Sequence, residues 1–210
     1  MQDLKTTVTQ FKNENKLPIL ITTVFFFAIF YVSFFHNLNF TEPSGIFYYL
    51  AGEEVLKGNA ENLGIAGGPI GGPLLHATLG NLLGDAFTAG KIISLISGTG
   101  IVFLSYFITK NLFDKKVALL TQLFFAVSAK IVFLSIMVLN ELAPLFFIFV
   151  SLYFITKKQK TIPDFLLIGF FLAISFWLRY QSVIILIAFL IFLLIFERKT
   201  ILKFKQSLLT

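Results

Sequence analysis

IPDFLLIGFFLAISFWLRYQSVIILIAFLIFLLIF, running from Ile162 to Phe196, is the stretch on which the reading of this chain turns. As a single helix it would be about 50 Å long at 1.5 Å per residue. That overshoots a hydrocarbon layer of about 30 Å. Divided at Arg179-Tyr180 it gives two apolar runs, 162–178 and 181–196, joined by a tight hairpin. Upstream, the same kind of run recurs at 17–35, 92–109, 117–129 and 139–156. The third of these is short and ends at Lys130, a side chain able to snorkel to an interface. Composition agrees. The chain is 57% hydrophobic and 13% charged, with 28 phenylalanines and a mean hydropathy of +0.86. Soluble domains are nearer a quarter charged. The expected fold class is an all-α integral membrane protein of about six transmembrane helices. Residues 1–16 and 197–210 flank the membrane domain 17–196, and 36–91 form a large first outer loop carrying surface helices.

Charge sets the expected orientation. The net charge of +6 is read as loop lysines that fix topology, and not as a nucleic-acid footprint. With the N-terminus inside and six spans, 13 of the 17 basic residues fall in inside segments. Lys57, Lys91, Lys130 and Arg179 fall outside. Both termini are then cytoplasmic, in a multi-pass protein of a prokaryotic plasma membrane in preference to the endoplasmic reticulum. Three polar groups converge on the outer face: the first loop, Lys130–Glu141 and the Arg179 turn. Cysteine is absent, so disulfides, thiolate metal sites and a Cys nucleophile are excluded.

The first loop has its own pattern. From Phe40 to Asp85 it holds five acidic residues and one basic residue, Lys57. Ser44 suits an N-cap, Ile46, Tyr49, Leu50 and Leu56 recur at helical spacing, and Gly58 suits a helix end. Phe47, Tyr48 and Tyr49 favour the headgroup zone, which lays this helix along the membrane surface. Glu53 and Glu54 are read as its polar face. GGPIGGP at 67–73 is read as irregular backbone, since no strand precedes it and no GK[ST] follows. Pro73 to Gly84 then forms a second short helix carrying His76.

In this order the segments resemble a family. The loop helix SGIFYYLAGEE, the turn into PLLHATLGNLLGD, KIISLISGTGIVFLSYFITKNLFDKKVALLTQLFFAVSA, LNELAPLFFIFVSLYF and FLLIGFFLAISFWLRYQSVIIL together look like the N-terminal membrane half of the polyprenyl-phosphate-sugar-dependent glycosyltransferases of GT-C fold. Protein O-mannosyltransferases and lipid A aminoarabinose transferases are among them. The resemblance implies transfer of a sugar from a polyprenyl-phosphate carrier to an acceptor on the outer or lumenal face. It implies an acid early in the first outer loop that serves the acceptor hydroxyl as general base or positions it. Many relatives have Asp directly before the small-residue-Gly pair; Pro43 stands there in this chain, and the nearest acid is Glu42. Asn140-Glu141 matches a polar position at the start of the fourth span, and Arg179 a basic residue at the fifth-to-sixth turn, where a cation holds the carrier phosphate. The implied catalytic residues are Glu42 and Glu141. The implied substrate-binding residues are Asn140, Arg179, Tyr180, Gln181 and His76. No metal ligands are assigned; a divalent ion is the one cofactor the family reading leaves open.

Each residue also has a plainer reading. Glu42 serves equally as a solvated loop acid, Glu141 as a helix cap favoured by the dipole, Arg179 as a topology anchor, and His76 as a packing residue. Trp177 and Tyr180 suit the interfacial belt. Enzymes of this family continue with further spans, so two alternatives stand beside catalysis. One is a non-catalytic or truncated subunit that works with a second membrane protein. The other is a small transporter or flippase built on Glu141 and Arg179.

Overall fold

The computed structural model describes residues 15–36, 43–59 and 69–196. Among them every regular element is helical: α1 Lys16–Phe35, α2 Pro43–Leu56, α3 Gly71–Leu83, α4 Ala86–Leu112, α5 Lys115–Val127, α6 Ala129–Ile136, α7 Leu142–Ile155, α8 Ile162–Leu178, a 3-10 turn Tyr180–Ser182, and α9 Val183–Phe196. Two helices, α1 and α4, are long and apolar enough to cross a membrane alone. The pair α5 and α6 makes a third crossing if its 52° bend is counted inside one span, and α7, α8 and α9 are shorter apolar helices.

Helix α4 is the axis of the bundle. It packs against α1, α2, α3, α5, α6 and α7. Its buried face is made largely of small residues, Ala86, Ala89, Gly90, Ser94, Ser97, Gly98 and Ser105. Small side chains let helix backbones approach where lipid supplies no hydrophobic drive between helices. A methyl at Gly98 would strike Ser135 of α6, and one at Gly90 would meet Val138 and His76. Helix α1 buries one stripe, Pro18, Phe25, Ile29 and Ser33. Val24, Phe27, Tyr31 and Phe35 point outward and are more than half exposed. An apolar helix with most of its surface bare is suited to lipid, not water.

Side-chain bonds sort the two ends of the bundle. At one end Lys110 reaches Asn15 (3.5 Å) and Asn111 reaches Thr156 (3.2 Å). At the other, Lys91 donates to the Ser33 carbonyl (3.1 Å) and Ser94 to that of Leu139 (3.3 Å). The second end therefore gathers the C-terminus of α1, the start of α4, the α6–α7 link and the loop helices α2 and α3.

The hairpin at Arg179 is present. Arg179 is extended (φ −155°, ψ 117°), which ends α8. Ile168 and Leu172 of α8 cluster with Phe189 and Leu186 of α9. Leu172 and Leu186 each lie seven residues from Arg179, so the two helices run back along each other.

Several expectations are corrected. Helix α4 extends from 86 to 112 in place of 92–109, because Asp85 caps it early, accepting from the Thr88 N–H at 2.7 Å. Lys130 lies in a helix and not in a loop: the third run breaks at Ser128 (φ −62°, ψ 117°) and resumes as α6. Ser44 is no N-cap, since α2 begins at Pro43, a residue suited to the first helical position. Gly71, Gly72 and Pro73 are the first turn of α3 and not irregular backbone. Gly58 (φ 90°) follows α2 as expected, and Gly84 (φ 98°) closes α3.

Glu53 differs most from its reading as a solvated face. Its carboxylate accepts the Ala86 N–H at 2.6 Å, so α2 caps α4 across 33 residues of sequence. Glu54 instead pairs with Lys57 at 2.9 Å on the surface. Glu53→Ala is expected to cost about 1 kcal/mol, as cap removals do, and to lower the unfolding midpoint in detergent by about 2–4 °C. Glu54→Ala is expected to leave it unchanged, because exposed pairs contribute little.

Candidate functional site

The link between α6 and α7 meets the turn between α8 and α9 through buried polar bonds. Asn140 donates from Nδ2 to the Leu178 carbonyl at 2.9 Å, satisfying a C-terminal carbonyl of α8 that the helix leaves open. The Ser175 hydroxyl is 3.0 Å from the Pro144 carbonyl and 2.8 Å from the Ser182 hydroxyl. The Arg179 N–H bonds the Ser175 carbonyl at 2.9 Å. The Asn140, Ser175 and Ser182 side chains are all buried, so the backbone at 140 and 179 is held from behind.

On the open side of this frame Arg179 Nη1 lies 3.1 Å from Glu141 Oε1, each side chain about one third exposed. Glu141 occupies the residue before α7 but makes no capping bond there; its carboxylate serves the guanidinium. The pair borders a cleft of about 370 Å³ whose polar lining is Lys130, Glu141, Arg179, Gln181 and Ser182. Leu134, Leu145, Ile148 and Ile185 form apolar wall. Two cations and one carboxylate at the rim of an apolar cleft suit a ligand that is anionic at one end and hydrocarbon at the other. Guanidinium holds phosphate by paired N–H donors.

The sequence-derived residues separate into groups. Glu141, Arg179 and Gln181 share the cleft, and Asn140 supports it from beneath. Tyr180 is half exposed and packs its ring on Phe176 (centroids 5.6 Å apart), away from the lining residues. His76 is fully buried, close to Gly52 and Gly90 on α2 and α4. Glu42 lies outside the described residues. Among the described residues no three His, Asp or Glu side chains gather as a metal site. Lys130 was missed as a cleft residue because an apolar run that ends in a lysine reads as a helix end.

His76 has a consequence of its own. Neither ring nitrogen has a hydrogen-bond partner among the described residues. Burial pushes its pKa down to about 4, outweighing the opposing influence of the nearby Ala86 main chain. The folded value lies below the unfolded one near 6.5. The unfolded chain therefore binds the proton first as pH falls. This contribution to stability is complete above about pH 6.5 and is lost progressively toward pH 4, amounting to roughly 3 kcal/mol at most. His76→Asn is expected to flatten that part of a stability–pH curve measured by thermal unfolding.

A family model, dolichyl-phosphate-mannose-protein mannosyltransferase, matches residues 68–210. The match takes in α3 through α9 with the whole cleft, and leaves out α1, α2 and Glu42. Comparison with individual curated proteins and with solved structures finds no match.

Proposed function

The chain belongs to the dolichyl-phosphate-mannose-protein mannosyltransferase family, and on that premise we propose that it transfers a sugar from a polyprenyl-phosphate carrier to an acceptor at the outer or lumenal membrane face. The observation that carries the reading is the cleft, which sets Arg179 and Lys130 at the rim of an apolar wall. Arg179 leaves Glu141 for the carrier phosphate, Lys130 adds a second cation, and the isoprenoid lies against Leu145, Ile148 and Ile185. Glu141, released from its partner, faces the reacting sugar. Glu42, early in the first loop, takes the acceptor proton; a carboxylate within hydrogen-bond reach and partly desolvated has the right basicity for this. The membrane domain crosses six times, with the lysine-rich end cytoplasmic and the cleft outside. This requires α7, α8 and α9 to cross although they are short, which suits a locally thinned bilayer.

Donor binding tests the reading directly. The purified protein in detergent is expected to retain radiolabelled polyprenyl-phosphate mannose. Unlabelled polyprenyl phosphate should displace it, and a sugar nucleotide should not. Displacement by the nucleotide, or no retention, would refute the lipid-linked donor.

A further inference from the structure

The lysine-rich end of the bundle carries a surface that the proposed transfer does not use. Asp114 caps α5, accepting from the Lys116 and Val117 N–H groups at 2.7 and 2.9 Å. Below that cap Val117, Leu120, Phe124 and Val127 are all exposed, from 40% to 74%. Their spacing of three, four and three residues puts them on one face of α5. Lys116 is itself exposed. It stands four residues before Leu120 in the same helix, so it belongs to that same face.

The stripe has a definite length. Ten residues separate Val117 from Val127, about 15 Å at 1.5 Å per residue. That is half of a hydrocarbon core of about 30 Å, the depth of one leaflet. A lysine thus heads an apolar track one acyl chain deep. The neighbouring link adds charge. The Asn111–Thr156 bond (3.2 Å) ties the α4–α5 turn to the α7–α8 link, which holds Lys157, Lys158 and Lys160. Lys157 is matched by Asp164 at 2.7 Å, whereas Lys158 is exposed. Across the two links, residues 110–116 and 156–164, six lysines face two aspartates, Asp114 and Asp164. Asp114 engages helix N–H groups and Asp164 engages Lys157 and Thr161.

We propose that this face binds an anionic phospholipid, its headgroup at Lys116 and Lys158 and one acyl chain along Val117, Leu120, Phe124 and Val127. The partner is a lipid of the same leaflet, recognised by negative headgroup charge, and is distinct from the carrier phosphate at the opposite end. A lysine near an anionic membrane surface strengthens association by about fivefold.

Native mass spectrometry of the whole chain, released from equimolar phosphatidylglycerol and phosphatidylcholine, tests this. The unmodified protein is expected to keep phosphatidylglycerol in preference, and the preference should weaken as salt rises from about 0.05 to 0.5 M. Lys116→Gln with Lys158→Gln is expected to cut it by about 25-fold, at about fivefold per lysine, with phosphatidylcholine adducts unchanged. Equal retention of the two lipids by the unmodified protein, or a preference indifferent to salt, overturns the proposal even if the double variant fails to fold. An undiminished preference in a folded double variant overturns the assignment to these lysines.

Discussion

An Arg179→Ala protein is expected to transfer sugar from a polyprenyl-phosphate donor at least about 100-fold more slowly than its parent, the range seen when one preorganised charge-stabilising donor is removed. Its abundance in the membrane and its unfolding temperature should hardly move. The reason for the separation is geometric. The Arg179–Glu141 pair is about one third exposed on both sides, and pairs so placed contribute at most about 1 kcal/mol to stability. What holds the turn together lies behind it, in the Asn140, Ser175 and Ser182 bonds, which the substitution leaves intact. Arg179→Lys should recover part of the activity, because it keeps the charge and loses the paired donors. A rise in donor KM larger than the fall in kcat is the result expected of a group that holds the carrier phosphate throughout. Unaltered transfer by Arg179→Ala would remove the guanidinium from the proposed mechanism.

The second large effect is structural. Gly71→Ala puts a methyl 2.5 Å from the main-chain oxygen of Trp177 and 2.8 Å from its ring. Gly72→Ala puts one 2.5 Å from Asn140 Nδ2 and 2.8 Å from the Tyr48 ring. The Trp177 carbonyl belongs to a packed helix and has no rotamer by which to retreat. Overpacking of this kind costs about 1–3 kcal/mol, and the upper end is expected for Gly71. Thermal unfolding in detergent should fall by several degrees for each variant. Gly169→Ala is the control. Nothing lies within 4 Å of a methyl there and its φ is not positive, so it should be neutral, or stabilising by up to about 1 kcal/mol. Equal behaviour of Gly71→Ala and Gly169→Ala would show that α3 does not abut α8 as described.

These glycines also mark what was legible in the sequence. Membrane character, helical class and the hairpin at Arg179 follow from hydrophobic run length, a quantity each segment carries by itself. Helix α8 has the expected bounds, Ile162–Leu178, because a capping box with Thr161 and Asp164 and the extended Arg179 punctuate both ends. The helix after the glycine-rich run ends at Gly84 as expected. Contacts between distant segments were not legible. Glu53 reaches Ala86, Asn140 reaches Leu178, and Gln122 reaches Pro18 across 104 residues; no local pattern announces such partners. The sequence order Gly-Gly-Pro reads as a loop breaker, yet the two glycines are there because another backbone passes close by. The break at Ser128 escaped for the opposite reason: the residues around it are apolar on both sides, so hydropathy runs through it unmarked. As for the site, Glu141, Arg179 and Gln181 were named from order and chemistry, while Lys130 needed the fold to bring α6 beside the turn.

The interruption at Ser128 bears on how a charged headgroup reaches the cleft. Between α5 and α6 the chain leaves helical geometry for one extended residue, and the opening turn of α6 has N–H groups that no earlier carbonyl of that helix can serve. Two turn bonds, Ser128 N–H to Phe125 O at 3.3 Å and Val132 N–H to Ser128 O at 2.9 Å, repair part of the gap. Hydrocarbon has nothing to offer the rest. On the proposed topology, water reaching this flank beside Lys130 would serve those groups, and the bilayer there would be a hydrated dimple and not a sealed wall. A lipid phosphate sliding in from the side would keep its solvent shell until it met the cations of the cleft, so dehydration would coincide with capture.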